Sequence, residues 1–301
     1  MNTIDLNGMW VVRSESFTCI GESGLAKVAQ ARDGWLPAQV PGEVHLDLIR
    51  AGMMPEPTVG TNMIACRWPE TYSWWYRTVF EVDPQILENE RLCLVFDGLD
   101  LYAQVFLNGE LVGEARDAFV PAIFLVKRCL KAGQNELVVR LTAGSELARD
   151  ETPPGQNQAW KANSAASGAI PNPARPGDPY GHRLWPGRKW LRKPQFTYGW
   201  DWVDAMPNIG IWRGVRLDAH SYAVLHDLRL DTRLEEGQVF LEMDAVVENL
   251  HPWSERCCQL ELEITPPLEG PALRRSYKVK ALPGRNRVRD LIEVPTFLWP
   301  P

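Results

Sequence analysis

The stretch Arg91–Ala115, RLCLVFDGLDLYAQVFLNGELVGEA, decides the fold class of this chain. Its apolar runs are interrupted first at Asp97-Gly98 and then at Asn108-Gly109. Asn-Gly favours the tight turn of a β-hairpin because both positions of that turn require a positive φ. The stretch therefore predicts two antiparallel strands joined at Asn108-Gly109.

Short apolar runs bounded by turn residues continue on both sides of this hairpin. Before residue 219 they predict strands over Ser73–Val82, Phe119–Val126, Glu136–Leu141 and Ile211–Leu217. After it, five runs follow, which read AVLHDLRLDTRL, QVFLEMDAVVEN, CCQLELEIT, RRSYKVKAL and RNRVRDLIEV. Helical periodicity is weak, and Val44–Ala51, with Gly52 as its C-cap, is the one helix predicted. Short strands at this spacing indicate an all-β sandwich or barrel.

The length and the strand count predict two domains. A chain of 301 residues suggests two domains, at roughly 100 to 200 residues each. We expect the first to cover residues 1–218 and the second residues 219–301. The second domain is expected to be incomplete, because it has five predicted strands whereas an immunoglobulin-like sandwich has about seven in roughly 100 residues.

A long segment of different composition, residues 148–189, interrupts the first domain. It is rich in Pro, Gly, Asn and Ala and shows little periodicity. A loop of this length inside a compact domain is usually either functional or disordered. The sequence leaves both interpretations open.

Charge and hydropathy exclude several classes of protein. The formal net charge of −6 leaves no basic field for a nucleic-acid partner. No run of 18 apolar residues is present, and the N-terminus MNTIDLNGMWVV lacks the basic and apolar regions of a signal peptide. The six cysteines have no CxxC spacing and are interpreted as reduced thiols. We therefore expect a cytoplasmic protein with no membrane and no nucleic-acid partner.

The common catalytic motifs are missing from the sequence. It contains no P-loop, GxGxxG, HExxH, GxSxG or paired CxxC motif, and its five histidines are dispersed. Asp97 and Asp100 of the DGLD segment are interpreted as turn residues. No catalytic residue, metal ligand or cofactor is therefore predicted from these motifs.

The segment LRKPQFTYGWDW, residues 191–202, carries the candidate binding site. It places one carboxylate between two indoles, after a pair of cations. Aromatic faces stack on the apolar face of a pyranose, and a carboxylate accepts strong hydrogen bonds from its hydroxyls. The alternative is that the two tryptophans share one strand face and fill the core. The predicted substrate-binding residues are Asp201, Trp200, Trp202, Arg192 and Lys193.

A series of motifs resembles the N-terminal sugar-binding domain of family 2 glycoside hydrolases. The resemblance covers most of residues 1–218, and RKPQ followed by GWDW and GIWR resembles the β-mannosidase branch more narrowly. The motifs are Asn7-Gly8-Met9-Trp10, VPGEVH from Val40, IRAGMMPEPTVG from Ile49, WWYR from Trp74, FDGLDLYAQVFLNG from Phe96, GQNELVVRL from Gly133 and RKPQFTYGWDW from Arg192.

The resemblance implies a jelly-roll (galactose-binding-like) sandwich, an immunoglobulin-like sandwich and a downstream (β/α)₈ barrel with two catalytic glutamates. The parent activity would be retaining hydrolysis of terminal β-mannosides, with the glutamates about 5 to 5.5 Å apart. Trp299-Pro300-Pro301 resembles the family's Trp-Pro segment inside the second domain. Both glutamates are therefore expected beyond residue 301, and the chain alone is expected to be inactive.

The resemblance also assigns roles to the site residues. It implies that the carboxylate of Asp201 contacts the terminal mannose of a β-mannoside or related oligosaccharide, with Trp200 and Trp202 beside it. Two departures bear on that assignment. Val203-Asp204 stands where the family usually has Gly-Pro, and the segment Arg116–Phe119, RDAF, lacks the family's usual Asn.

Two other functions stay open. One is a different family 2 specificity, for β-galactosides or β-glucuronides, against which the GWDW motif argues. The other is a stand-alone carbohydrate-binding protein, which a stop codon directly after Pro301 would favour.

Overall fold

The computed structural model describes residues 2–144, 147, 186–200, 205–265 and 272–294. Within these residues the chain is an all-β protein with antiparallel sheets, as the sequence predicts. It forms two compact units. One contains Asn2–Leu87 and Leu92–Asp218, and the other contains Glu88–Arg91 and the chain from Ala219 onward.

The first unit contains a six-stranded and a four-stranded sheet. The strand orders are β3-β2-β4-β9-β6-β7 and β1-β10-β5-β8. The strands are β1 (Asn2–Asp5), β2 (Gly8–Ser16), β3 (Leu36–Val40), β4 (Tyr72–Val82), β5 (Arg91–Phe96), β6 (Tyr102–Leu107), β7 (Glu110–Ala115), β8 (Ala122–Leu125), β9 (Gly133–Thr142) and β10 (Val215–His220).

The predicted hairpin is confirmed. Strands β6 and β7 are antiparallel, and Leu107 pairs with Glu110 across a two-residue turn. Asn108 and Gly109 have φ values of 51° and 89°, as the tight hairpin turn requires.

Two predicted strands lie within longer observed strands in the middle of the six-stranded sheet. Strands β4 and β9, which pair with each other, include the predicted ranges. Strand β10 begins only at Val215, because the preceding residues bond to loops instead. The carbonyl of Ile211 accepts a hydrogen bond from the amide of Gly42, and that of Gly214 from the amide of Asp97.

The prediction of a single helix is wrong. The predicted helix is present as α2 (Val44–Arg50), but α1 (Gly21–Gln30) precedes it, and two one-turn helices follow as α3 (Asn62–Ala65) and α4 (Pro84–Leu87). Leu25 and Val28 of α1 share a buried cluster with Trp75 and Phe106, whose rings stack at 5.9 Å. Three-dimensional packing therefore stabilises a helix whose own periodicity is weak.

The second unit has the five strands that the sequence predicts. Its sheets have the orders β11-β12-β15 and β13-β14. Leu241 and Met243 of β12 are buried in one cluster, against which Leu260 and Tyr277 of the second sheet pack. The strands are β11 (Ala223–Glu235), β12 (Gln238–Asn249), β13 (Arg256–Ile264), β14 (Leu273–Ala281) and β15 (Gly284–Val294).

The cysteines agree with the reduced state predicted from their spacing. All six lie within the described residues and are free thiols. None of the helices in the described ranges has the length and apolar composition to span a bilayer. Those ranges also hold no group of three or more side chains suited to bind a metal ion.

Candidate functional site

Lys193 lies between two 3₁₀ helices, Pro186–Trp190 and Gln195–Tyr198, and its side chain is buried. Its Nζ atom is 2.7 Å from Oδ1 of Asp100 and donates a 2.8 Å hydrogen bond to the carbonyl of Asn208. The same atom lies 5.5 Å from the centre of the Tyr198 ring. Two oxygen atoms and one aromatic face thus compensate the desolvation of the ammonium group.

The partner carboxylate, Asp100, is also buried. Burial raises the pKa of Asp100, and the nearby charge of Lys193 opposes that effect. Burial lowers the pKa of Lys193, and Asp100 opposes it in turn. Asp100 is therefore an ion-pair partner, where the sequence suggested a turn residue.

A third segment, residues 208–211, packs between Asp100 and the start of α2. The amide of Asp100 donates to the carbonyl of Gly210, and the reverse hydrogen bond also forms, both at 2.9 Å. On the other side, the amide of Val44 donates to the carbonyl of Ile209, also at 2.9 Å. Residues 208–211 are therefore joined by backbone hydrogen bonds to two segments that are distant in the sequence, at Asp100 and at Val44.

Glu43 extends the polar network around Lys193. It accepts a hydrogen bond from the side-chain amide of Asn208, and Nδ1 of the buried His45 lies 3.8 Å from its Oε2. Burial raises the pKa of Glu43, but His45, Asn208 and the charge of Lys193 outweigh it and hold that pKa below its usual value. Glu43 is therefore stabilised as a carboxylate beside the Lys193–Asp100 pair.

Arg192 differs from Lys193 in being exposed. Its Nε lies 3.1 Å from Oδ2 of Asp117, and its guanidinium lies 5.7 Å from the centre of the Phe119 ring. Its carbonyl accepts a hydrogen bond from the amide of Ala118. The RDAF segment, one of the departures from the family pattern, thus orients Arg192.

Trp200 ends the described part of the motif, with 42% of its surface exposed. The preceding residue, Gly199, has φ 107°, and its carbonyl accepts a 3.0 Å hydrogen bond from Arg188. Asp201 and Trp202, predicted as binding residues, lie outside the described residues, as does Val203-Asp204.

The sequence did not single out Glu43, Asp100 or Asn208 as members of a polar network with Lys193. The VPGEVH motif contains Glu43, and the DGLD segment contains Asp100. These two motifs could have marked Glu43 and Asp100 as site residues. Neither motif indicates which side chain its carboxylate contacts in the folded chain.

The described residues form an all-β sandwich, and Trp200 of the GWDW motif is exposed. A family model described as "Glycosyl hydrolase 2 galactose-binding domain-like" matches residues 23–213. The chain therefore belongs to the glycosyl hydrolase 2 family.

Similar proteins include two curated fungal relatives and one solved structure. "Beta-mannosidase B" of Aspergillus terreus is 31% identical over 72% of this chain and 24% of the relative. "Beta-mannosidase B" of Aspergillus fumigatus is 29% identical over 90% of this chain and 30% of the relative. The β-D-mannosidase of Dictyoglomus thermophilum is 26% identical, with a TM-score of 0.72, over 98% of this chain and 31% of that chain.

These comparisons show that the chain resembles the N-terminal part of β-mannosidases of the family. The chain spans less than a third of the length of each of these three proteins. All three are named as mannosidases, so the galactosidase and glucuronidase alternative is not favoured.

Proposed function

We propose that this chain is the N-terminal, non-catalytic part of a retaining β-mannosidase and contributes a substrate-binding loop to the active site. In this proposal Asp201 accepts hydrogen bonds from hydroxyls of the terminal β-mannose, with Trp200 and Trp202 beside the sugar ring. The observation that carries it is the exposed indole of Trp200 at the end of a segment fastened to the sandwich by the Lys193–Asp100 pair.

The chemistry of the neighbouring side chains supports a sugar ligand. Exposed aromatic surface binds the C–H face of a pyranose, and a few charged groups fix its orientation. Arg192 offers such a group, since 68% of its side chain is exposed while Asp117 holds its Nε. The ammonium of Lys193 is already bound to Asp100 and Asn208.

The catalytic part of the proposed enzyme would be a (β/α)₈ barrel downstream of this chain, with two glutamates as nucleophile and acid/base. The greater length of the relatives supports this proposal. The proposal further divides the chain into a jelly-roll domain over residues 1–218 and an incomplete immunoglobulin-like domain over residues 219–301. A cytoplasmic location stays a prediction.

The proposal predicts that Asp201→Ala in the complete enzyme lowers kcat/KM for a chromogenic β-mannoside at least about tenfold. A lost hydrogen bond between a charged group and a substrate hydroxyl costs roughly 1.5 to 3 kcal/mol. The melting temperature should change little, because the carboxylate would bind the ligand rather than the fold. Steady-state kinetics and a thermal melt measure the two effects.

The matched control is Asp97→Ala, which removes another carboxylate of the first unit, one paired with Arg216 at 2.7 Å. It should leave kcat/KM close to that of the parent enzyme. If Asp201→Ala unfolds the enzyme, or leaves kcat/KM unchanged, the assignment of Asp201 to the substrate is wrong.

A further inference from the structure

We infer that Lys193 is a positioning residue of the proposed sugar site, whose buried ammonium holds together the chain segments on both sides of residues 201–204. The inference rests on the proposed function, because those segments flank Asp201. In this role Lys193 holds the flanking segments in place and does not contact the sugar.

Two hydrogen bonds link the two flanking segments. Lys193 belongs to the segment before residue 201, and its Nζ donates to the carbonyl of Asn208 in the segment after residue 204. A second link runs in parallel, since the amide of Met206 donates to the carbonyl of Thr197 at 2.9 Å. The two flanking segments are therefore held together by a side chain and by the backbone.

Asp100 attaches these segments to the sandwich. Asp100 follows β5, and it pairs with Lys193 through its side chain and with Gly210 through its backbone. One ammonium group of the first flanking segment therefore contacts the connection between β5 and β6 and the second flanking segment. Loss of that group would remove these side-chain links and leave the backbone hydrogen bonds and the exposed surface intact.

Burial keeps the ammonium of Lys193 away from a ligand. The residue is 1% exposed, and Asp100, Asn208 and the Tyr198 ring surround its Nζ. A compact ammonium with three donors suits this position, since it bridges acceptors from different segments. Of the two adjacent cations Arg192 and Lys193, Arg192 is the exposed one.

The experiment separates positioning from stability with a double variant of the 301-residue chain. Lys193→Met alone leaves the Asp100 carboxylate buried without its partner, so the melting temperature should fall. Lys193→Met/Asp100→Leu replaces the pair with apolar groups, which is often neutral for stability. The double variant should therefore recover most of the melting temperature and still lack the link to Asn208.

The readout is ¹⁹F NMR of chain labelled with 5-fluorotryptophan, in which the Trp200→Phe variant assigns the Trp200 resonance. Methyl β-D-mannopyranoside is titrated at millimolar concentrations. We expect the parent Trp200 resonance to shift with the mannoside. In the double variant it should be displaced or broadened before any ligand is added, and the response to the mannoside should be at least tenfold weaker.

The matched control is Arg91→Met/Glu248→Gln, which removes a pair with contacts of 2.7 and 2.8 Å in the second unit. It should leave the Trp200 resonance and the mannoside response unchanged. A merely structural role for Lys193 predicts that both signals return with the melting temperature in the Lys193→Met/Asp100→Leu variant. That result would overturn the inference.

Failure of the proposed function gives a different pattern. If the parent does not respond to the mannoside, or if Asp201→Ala responds as the parent does, then the sugar assignment is wrong. The Trp200 resonance of the unliganded double variant still decides the inference in that case. An unchanged resonance contradicts it, and a displaced one supports it.

Discussion

At the scale of single residues, Gly210 shows how closely the segments of the site approach each other. A Cβ atom at this position would lie 2.4 Å from the carbonyl oxygen of Gly42 and 2.7 Å from Cα of Glu43. Both neighbours are backbone atoms, which cannot rotate away. The absence of a side chain is therefore what lets residues 208–211 pack between Asp100 and α2.

We predict that Gly210→Ala lowers the free energy of unfolding by about 1 to 3 kcal/mol, the usual cost of overpacking a tightly packed site. Urea unfolding measures this change. Gly214→Ala is the control, because an added Cβ there meets only side-chain atoms, the nearest being Oδ2 of Asp97 at 3.2 Å. An equal loss in both variants would contradict the close approach at Gly210.

At the scale of elements, β11 has an exposed apolar face. Leu228, Leu230 and Leu234 lie opposite Ala245, Met243 and Val239 of β12, whose side chains are buried. Side chains directly opposite each other share one face of the sheet, yet the three leucines are 42%, 43% and 73% exposed. Strand β11 is thus an edge strand whose inward face is uncovered in the described part of the chain, and such strands promote association.

We predict that Leu230→Lys/Leu234→Lys reduces self-association of the 301-residue chain, because charges on this apolar face oppose its burial against another copy. Sedimentation velocity at several protein concentrations measures the effect. The control, Asp231→Lys, adds the same side chain on the opposite face of β11 and should leave self-association unchanged. Equal association of parent and leucine variant would show that this face is not the contact.

At the scale of the whole molecule, the chain spans less than a third of the length of its longer relatives. The proposed role requires a carbohydrate pocket that surrounds most of its ligand. A ligand that binds to one wall of such a pocket loses translational and rotational entropy without the contacts that would compensate this loss.

We therefore predict that the purified 301-residue chain hydrolyses no chromogenic β-mannoside, because the two catalytic glutamates would lie in the downstream barrel. A mannoside should bind in the millimolar range or more weakly. A hydrolysis assay against a matched blank checks the main point. Turnover that survives repurification and is lost in Asp201→Ala would place catalytic carboxylates within these residues and contradict the proposal.

The sequence by itself determined the features that depend on neighbouring residues. The Asn108-Gly109 turn and the five strands after Ala219 follow from turn chemistry and from period-two alternation, which act over a few residues. Trp200 is exposed, but sugar binding by its motif stays a prediction, and Asp201 itself lies outside the described residues.

Only the tertiary structure decided which groups meet. The sequence did not predict helix α1, because its periodicity is weak. The helix is stabilised by packing against Trp75, which is distant in the sequence. Lys193 and Arg192 are adjacent in sequence, yet one is buried against Asp100 and the other is exposed beside Asp117. Burial and charge pairing depend on segments that come together only when the chain folds, so local sequence could not distinguish these two cations.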